Sequence, residues 1–99
     1  MESDWKKFRD LVPMLRERYL CARNSQIARK LTESNKTETE RFWDAQKLMD
    51  KEARILRACL DGHSRSKMWL YMVTMRDAGM LKREDLADFS AQLQKDVFD

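Results

Sequence analysis

A chain of 99 residues suits one domain that can bury a core without metal ions or disulfides. Its formal net charge of +3 is mild, and long amphipathic helices with solvated faces explain why 37% of its residues are charged. Two isolated cysteines exclude the disulfide framework of a small secreted domain. The longest apolar run, residues 68–73, excludes a membrane span, and no signal peptide is visible, so we expect a cytoplasmic protein.

The first predicted element is a long helix over about residues 4–33, with Ser3 as its N-cap. Strong helix breakers are rare, since the chain contains only two glycines and one proline. Apolar side chains recur at alternating steps of three and four residues, which predicts one buried helix face. The phase of this stripe continues across Pro13, so we expect one kinked helix rather than two. The stripe consists of Trp5, Phe8, Val12, Leu15, Tyr19 and Ala22.

The second predicted helix covers about residues 38–60. Thr37 and Glu40 have the spacing of a capping box, and Gly62 suits a left-handed residue just past the helix end. The turn before this helix is short, so the first two helices should form an antiparallel hairpin. If the turn centres near Asn35, the numbers of facing residues sum to about 70. The stripe of this helix consists of Phe42, Ala45, Met49, Ala53, Leu56 and Leu60.

Two shorter helices, over about residues 65–78 and 83–97, complete a predicted all-α, four-helix domain. The first of them is apolar on nearly every side and should be central, and Gly79 ends it. A helix of about 28 residues is about 42 Å long, so the two short helices cannot cover the whole hairpin. We therefore expect part of the apolar stripe to remain exposed, where a second copy of the chain would cover it.

The third helix also provides the predicted contact surface. Flexible methionine side chains suit adaptable binding surfaces, although packing in the core is the ordinary alternative. The favoured hypothesis is a small non-enzymatic interaction or regulatory protein that binds a protein partner or a second copy of itself, forming a homodimer. The predicted contact residues are Met68, Trp69, Tyr71, Met72 and Met75.

A row of cations on the first helix supports an alternative function. Its members recur every seven residues and therefore lie on one helix face. Such a row suits a nucleic-acid backbone or an acidic protein, and a simple solvated face is the third interpretation. Residues 1–60 contain 14 Lys or Arg against 10 Asp or Glu, which places any anion preference in this half. The row consists of Arg9, Arg16, Arg23 and Lys30.

A second alternative rests on Arg57 and His63. Their Arg-x5-His spacing resembles the signature of metal-independent helical ribonucleases of the HEPN type. The resemblance implies that the two side chains meet in the cleft of a helical dimer to polarise a phosphate and move a proton. Ala58 departs from the polar residue usual after the arginine, and a helix end at Gly62 would separate the pair.

No other pattern in the sequence indicates catalysis. Cys-x-x-Cys pairs, Glu-x-x-His pairs on helices and a glycine-rich phosphate loop do not occur. Neither cysteine has a histidine beside it in sequence. The sequence therefore predicts no metal, no cofactor, no small-molecule substrate, no membrane partner and no enzymatic activity.

Overall fold

The computed structural model describes residues 2–99, and every regular element in that range is helical. The predicted all-α, four-helix architecture is confirmed. Helix α1 spans Glu2–Leu31, α2 spans Glu38–Leu60, α3 spans Met68–Asp77 and α4 spans Ala91–Phe98. A 3₁₀ turn over Arg65–Lys67 leads directly into α3, and a second one over Arg83–Leu86 precedes α4.

Helix α1 runs without interruption through Pro13, which confirms one helix rather than two. The prediction that Ser3 is its N-cap is wrong, because Ser3 lies inside the helix. Asp4 lies in the first turn of α1, where acidic residues are usually exposed to solvent, but its carboxylate is buried. It accepts hydrogen bonds from the backbone N–H and the hydroxyl of Ser90, at 3.0 and 2.7 Å.

Local capping signals define both ends of α2 as predicted. The hydroxyl of Thr37 accepts from the N–H of Glu40 at 3.0 Å, and the Glu40 carboxylate accepts from the N–H of Thr37 at 2.9 Å. This reciprocal pair confirms the capping box. Asn35 has a positive φ of 63° in the turn from α1, and Gly62 has a φ of 77° just beyond the helix end.

Gly79 ends α3, also as predicted. With a φ of 78°, its N–H donates to the carbonyl of Arg76 at 3.0 Å. The next N–H, from Met80, donates to the carbonyl of Met75 at 2.8 Å. This pair of bonds is the Schellman motif, which satisfies carbonyls that the helix end would leave free.

The prediction of one helix over 83–97 is wrong. Instead, the chain makes the 3₁₀ turn, breaks at residues 87–90 and restarts as α4. The Asp85 carboxylate accepts from the backbone N–H of Lys82 at 2.8 Å and forms two hydrogen bonds with the Arg18 guanidinium, at 2.8 and 2.6 Å. Ser90 caps α4 by accepting from the N–H of Leu93, and is itself held by Asp4. These contacts with α1 favour two short elements over one helix.

The core lies at one end of an elongated molecule of 52 × 24 × 22 Å. It joins the first two-thirds of α1 and the last part of α2 to α3, the second 3₁₀ turn and α4. The Tyr19 hydroxyl donates to Glu52, so facing residues in the hairpin sum to 71, close to the prediction. We call residues 24–49 the distal hairpin; Ala45 is its only buried residue.

Candidate interaction surfaces

The methionines of α3 are core residues and not a surface. Met68, Met72 and Met75 are all buried, the last two completely. The predicted contact surface is therefore wrong for these three side chains, which already pack against the protein's own helices. A charge at position 72 would test folding rather than association, because it would be buried without a partner.

The remaining residues of the predicted surface are only partly available. The Tyr71 hydroxyl donates to the carbonyl of Asp61 at 2.5 Å, and the ring packs against His63 with centroids 4.5 Å apart. Trp69 is exposed, but its indole N–H donates to the carbonyl of Asp96 at 3.2 Å. Leu70 beside it is 53% exposed. The exposed apolar surface of α3 is thus reduced to two neighbouring side chains.

The four predicted cations of α1 do not form a uniform row. Arg9 lies over the Trp5 ring, 5.6 Å from its centroid, and Arg16 pairs with its neighbour Glu17 at 3.4 Å. Arg23 lies over the Tyr19 ring at 4.6 Å, and its Nε is 3.5 Å from the Glu52 carboxylate. Lys30 alone lines a cleft of the distal hairpin. The row therefore divides into separate local environments.

Arg57 and His63 have different surroundings. Arg57 is exposed in the last turn of α2 and has no side-chain hydrogen bond or ion pair within residues 2–99. His63 is partly buried beyond the helix end, between the rings of Phe8 and Tyr71, and its Nε2 donates to the carbonyl of Cys59 at 2.6 Å. This hydrogen bond and the contacts with the two aromatic rings give His63 a structural role. Neither residue lines any of the five clefts described for residues 2–99.

The two cysteines are free and lie in opposite environments. Cys21 is exposed on α1, whereas Cys59 is completely buried in the core. Burial raises the pKa of the Cys59 thiol, so this side chain remains protonated at neutral pH and behaves as a small apolar residue.

An apolar groove runs between α1 and α2 in the distal hairpin. It has a volume of about 300 Å³. Phe42 and Met49 at its edge are 58% and 54% exposed, and Leu31 is also exposed. No other element among residues 2–99 covers it. We call this set the apolar groove: Ile27, Leu31, Phe42, Ala45, Gln46 and Met49.

A buried polar set separates the apolar groove from the core. Glu52 is buried on α2 and accepts a hydrogen bond from the Tyr19 hydroxyl, while the Arg23 guanidinium approaches the same carboxylate. Burial, and then the hydrogen bond to Glu52, raise the pKa of Tyr19. The pairing lets a carboxylate lie beneath the stripe without an uncompensated charge.

A second cleft, which extends from the distal hairpin to Arg54 on α2, is basic. It has a volume of about 420 Å³ and is lined by five cations and only one carboxylate. Lys36 pairs with that carboxylate, Asp44, at 2.9 Å. The other four cations form no ion pair with any residue between 2 and 99. We call this set the basic cleft: Lys30, Lys36, Asp44, Lys47, Leu48, Lys51 and Arg54.

Sequence reasoning missed this cleft because its cations come from two helices and the turn. The sequence pattern that could have indicated the cleft is a set of three cations on one face of α2, spaced four and three residues apart: Lys47, Lys51 and Arg54. On α2, a residue two positions away lies about 200° around the axis, so Lys47 and Lys51 point away from Met49. The sequence indicated an uncovered apolar stripe, but not that a basic cleft lies behind it.

Between residues 2 and 99, no helix has the length and apolarity needed to cross a bilayer. The same range contains no group of three or more side chains suited to hold a metal ion. No protein-family model, curated protein or solved structure matches the chain.

Proposed function

We propose that this protein is a small, non-enzymatic helical interaction and regulatory protein that forms a homodimer through the apolar groove. Two distal hairpins laid face to face would form four helices around a shared apolar interior. The surface is then self-complementary, as the two-fold symmetry of most homodimers requires. The single observation that carries this proposal is the uncovered apolar stripe of α2.

That stripe lies on the same face of α2 as residues of the core, with the buried Glu52 between the two apolar parts. Cys59 and Leu56 pack into the core, and the same helix face continues past Glu52 to Met49, Ala45 and Phe42 at steps of three or four residues. A helix normally buries such a face against a neighbour. Within residues 2–99, α3 covers only the part of this face near the core, so a second chain is the natural cover for the rest.

The size of the face supports a reversible dimer. From residue 38 to residue 49, α2 extends about 17 Å, and two adjacent helices are about 20 Å wide. Interleaving two such faces buries on the order of 1,000 Å² in total, the lower limit for a specific interface. We therefore expect micromolar rather than nanomolar affinity. Beside Phe42, Arg41 pairs with Glu38 at 2.5 Å. The edge of the groove therefore carries charges of both signs there and does not repel an approaching copy.

Sedimentation velocity between about 2 and 200 µM tests the proposal with two matched variants. Met49→Glu places a charge in the apolar groove and should keep the protein monomeric over the whole range, because the carboxylate would be buried at the interface. Leu70→Glu is the control: its side chain is equally exposed, on α3, and the charge change is the same. It should sediment like the wild-type protein, whose sedimentation coefficient should rise with concentration.

Three results would contradict this proposal. A wild-type protein that is monomeric at 200 µM excludes the homodimer and leaves the groove to another protein. Dissociation by Leu70→Glu instead of Met49→Glu would place the contact on α3. Equal effects of the two variants would mean that added charge, and not the groove, controls association. Circular dichroism of both variants should match the wild type, since both positions are exposed and glutamate is a good helix former.

A further inference from the structure

We propose that the basic cleft binds the phosphate backbone of single-stranded nucleic acid. This inference does not depend on the homodimer, because it uses the side of α2 that points away from Met49. It also differs from the predicted cation row on α1, with which it shares only Lys30.

The basic cleft carries an excess of positive charge, which favours a negatively charged ligand. Four cations of the cleft form no ion pair within residues 2–99 and share its volume of about 420 Å³ with the single carboxylate of Asp44: Lys30, Lys47, Lys51 and Arg54. Like charges held together repel, and a bound polyanion that releases counterions relieves that repulsion. Elsewhere the protein neutralises its partly buried cations: Arg18 pairs with Asp85, and Arg23 lies beside Glu52. Lys30, the one partly buried cation of the basic cleft, is the exception to this pattern.

The spacing of the cations suits an extended ligand. Lys47, Lys51 and Arg54 follow one face of α2 over about 10.5 Å, at 1.5 Å per residue. Lys30 lies across the cleft on α1, and Lys36 lies at the turn. Three cations therefore line the α2 side of the cleft and Lys30 lines the α1 side, and such an open channel can contact successive phosphates of one strand.

The chemistry of the side chains favours a strand over a small phosphate compound. Four of the five cations are lysines, which act as flexible point charges rather than as rigid two-pronged donors. Lys47, Lys51 and Arg54 are exposed, and no helix N-terminus lines the cleft. A site for one compact phosphate group normally uses converging backbone N–H groups or forked arginines. A charged channel of lysines is typical of sequence-independent backbone binding.

Trp43 supplies the feature that favours a single strand. It precedes Lys47 by one helical turn, so the two side chains are neighbours on α2. Its indole is 57% exposed, meets the Phe42 ring edge-on at 5.0 Å and is not part of the apolar groove. An exposed aromatic side chain beside a positive channel can stack on an unpaired base, an interaction that a base inside a duplex does not offer.

Two carboxylates limit the expected affinity. Asp44 lies in the cleft and holds Lys36, and Glu33 lines the neighbouring cleft together with Lys30. With four free cations, the logarithm of the affinity should fall with the logarithm of the salt concentration at a slope of up to about −3, from −0.7 per phosphate. We therefore expect binding that is readily measured at about 50 mM salt and weak at about 200 mM.

Fluorescence anisotropy with labelled 20-nucleotide single-stranded DNA and RNA tests the proposal. The decisive variant is Lys47→Gln/Lys51→Gln, which should lower the affinity about tenfold or more at 50 mM salt and reduce the salt slope by about 1.4. Its control is Lys6→Gln/Lys95→Gln, which removes the same charge at exposed positions outside the basic cleft. The control should retain both the affinity and the slope to within about twofold, and Met49→Glu should bind like the wild-type protein.

Competition separates the possible ligands. Unlabelled single strand should displace the probe at least tenfold better than a duplex of the same length, and Trp43→Ala should remove most of that preference. Equal competition by the duplex would overturn the assignment to single strands. Displacement by tripolyphosphate at the same phosphate concentration would show a small-anion site instead. No binding at 50 mM salt, or equal losses in the two double variants, would overturn the basic cleft as a nucleic-acid site.

Discussion

At the scale of single residues, buried carboxylates connect parts of the chain that are distant in sequence. Burial by itself would raise the pKa of Asp4, but the hydrogen bonds from the hydroxyl and the N–H of Ser90 outweigh it and lower that pKa below the usual 3.8. The Arg18 guanidinium likewise holds the pKa of Asp85 below 3.8. A lowered pKa means that the ionised form is preferred in the folded state. The stabilisation is complete above about pH 4 and disappears as the pH falls through the lowered pKa.

Replacing Asp4 with asparagine should therefore have a pH-dependent cost. At pH 7 we expect Asp4→Asn to lose about 1–3 kcal/mol of unfolding free energy, because charge-assisted acceptors are replaced by a neutral amide. The difference from wild type should shrink as the pH falls below about 4 and through the lowered pKa of Asp4, because protonation removes the charged acceptor. Urea denaturation at pH 7, 5 and 3 measures it, with the exposed Asp10→Asn as the control. A difference that is constant across this range would mean that the ionised carboxylate is not the stabilising form.

At the scale of secondary-structure elements, the sequence predicts the helix ends best where their signals are local. Thr37 with Glu40, Gly62 and Gly79 each act within a few residues, and all three end or begin helices where expected. The break at residues 87–90 was not predictable in this way. It depends on Ser90 meeting Asp4, 86 residues away, and on Asp85 meeting Arg18, 67 residues away.

The methionines of α3 show the same limit for side chains. Their spacing indicated either a core or a contact surface, and only the packing of α1, α2 and α4 around them decides for the core. The apolar groove was foreseeable from helix lengths, because two short helices cannot cover a long hairpin. The basic cleft was not, since it requires the relative rotation of α1 and α2 as well as their register.

The two helix-ending glycines should respond differently to alanine. Both have a positive φ, so each replacement costs about 1 kcal/mol in backbone strain. A side chain at position 79 meets no atom within 4 Å, whereas one at position 62 would lie 3.1 Å from the Tyr71 hydroxyl, which bonds to Asp61. Gly62→Ala should therefore cost about 2 kcal/mol or more and Gly79→Ala about 1 kcal/mol, as measured by urea denaturation. Equal costs would mean that Tyr71 moves aside freely.

At the scale of the whole molecule, the protein consists of a packed body and a projecting hairpin with two unlike sides. The body contains every buried residue except Ala45, which lies in the distal hairpin. Glu52 with Tyr19 lies at the junction of the two regions. Hairpins with so little buried surface have low local stability unless something covers them. The proposed dimer and the proposed nucleic-acid strand would cover opposite sides, so the two can bind at once.

Amide hydrogen exchange at two protein concentrations should reveal this division. At about 2 µM, amides of the distal hairpin should exchange at least tenfold faster than those of α3 and of the first half of α1, because few buried contacts oppose local opening. At about 200 µM, self-association should slow exchange in the distal hairpin only, since the covering copy must leave before the helices open. The Met49→Glu variant should keep fast exchange at both concentrations. Slow exchange at 2 µM in that variant would show that the hairpin is stable on its own, and would remove the need for a covering copy.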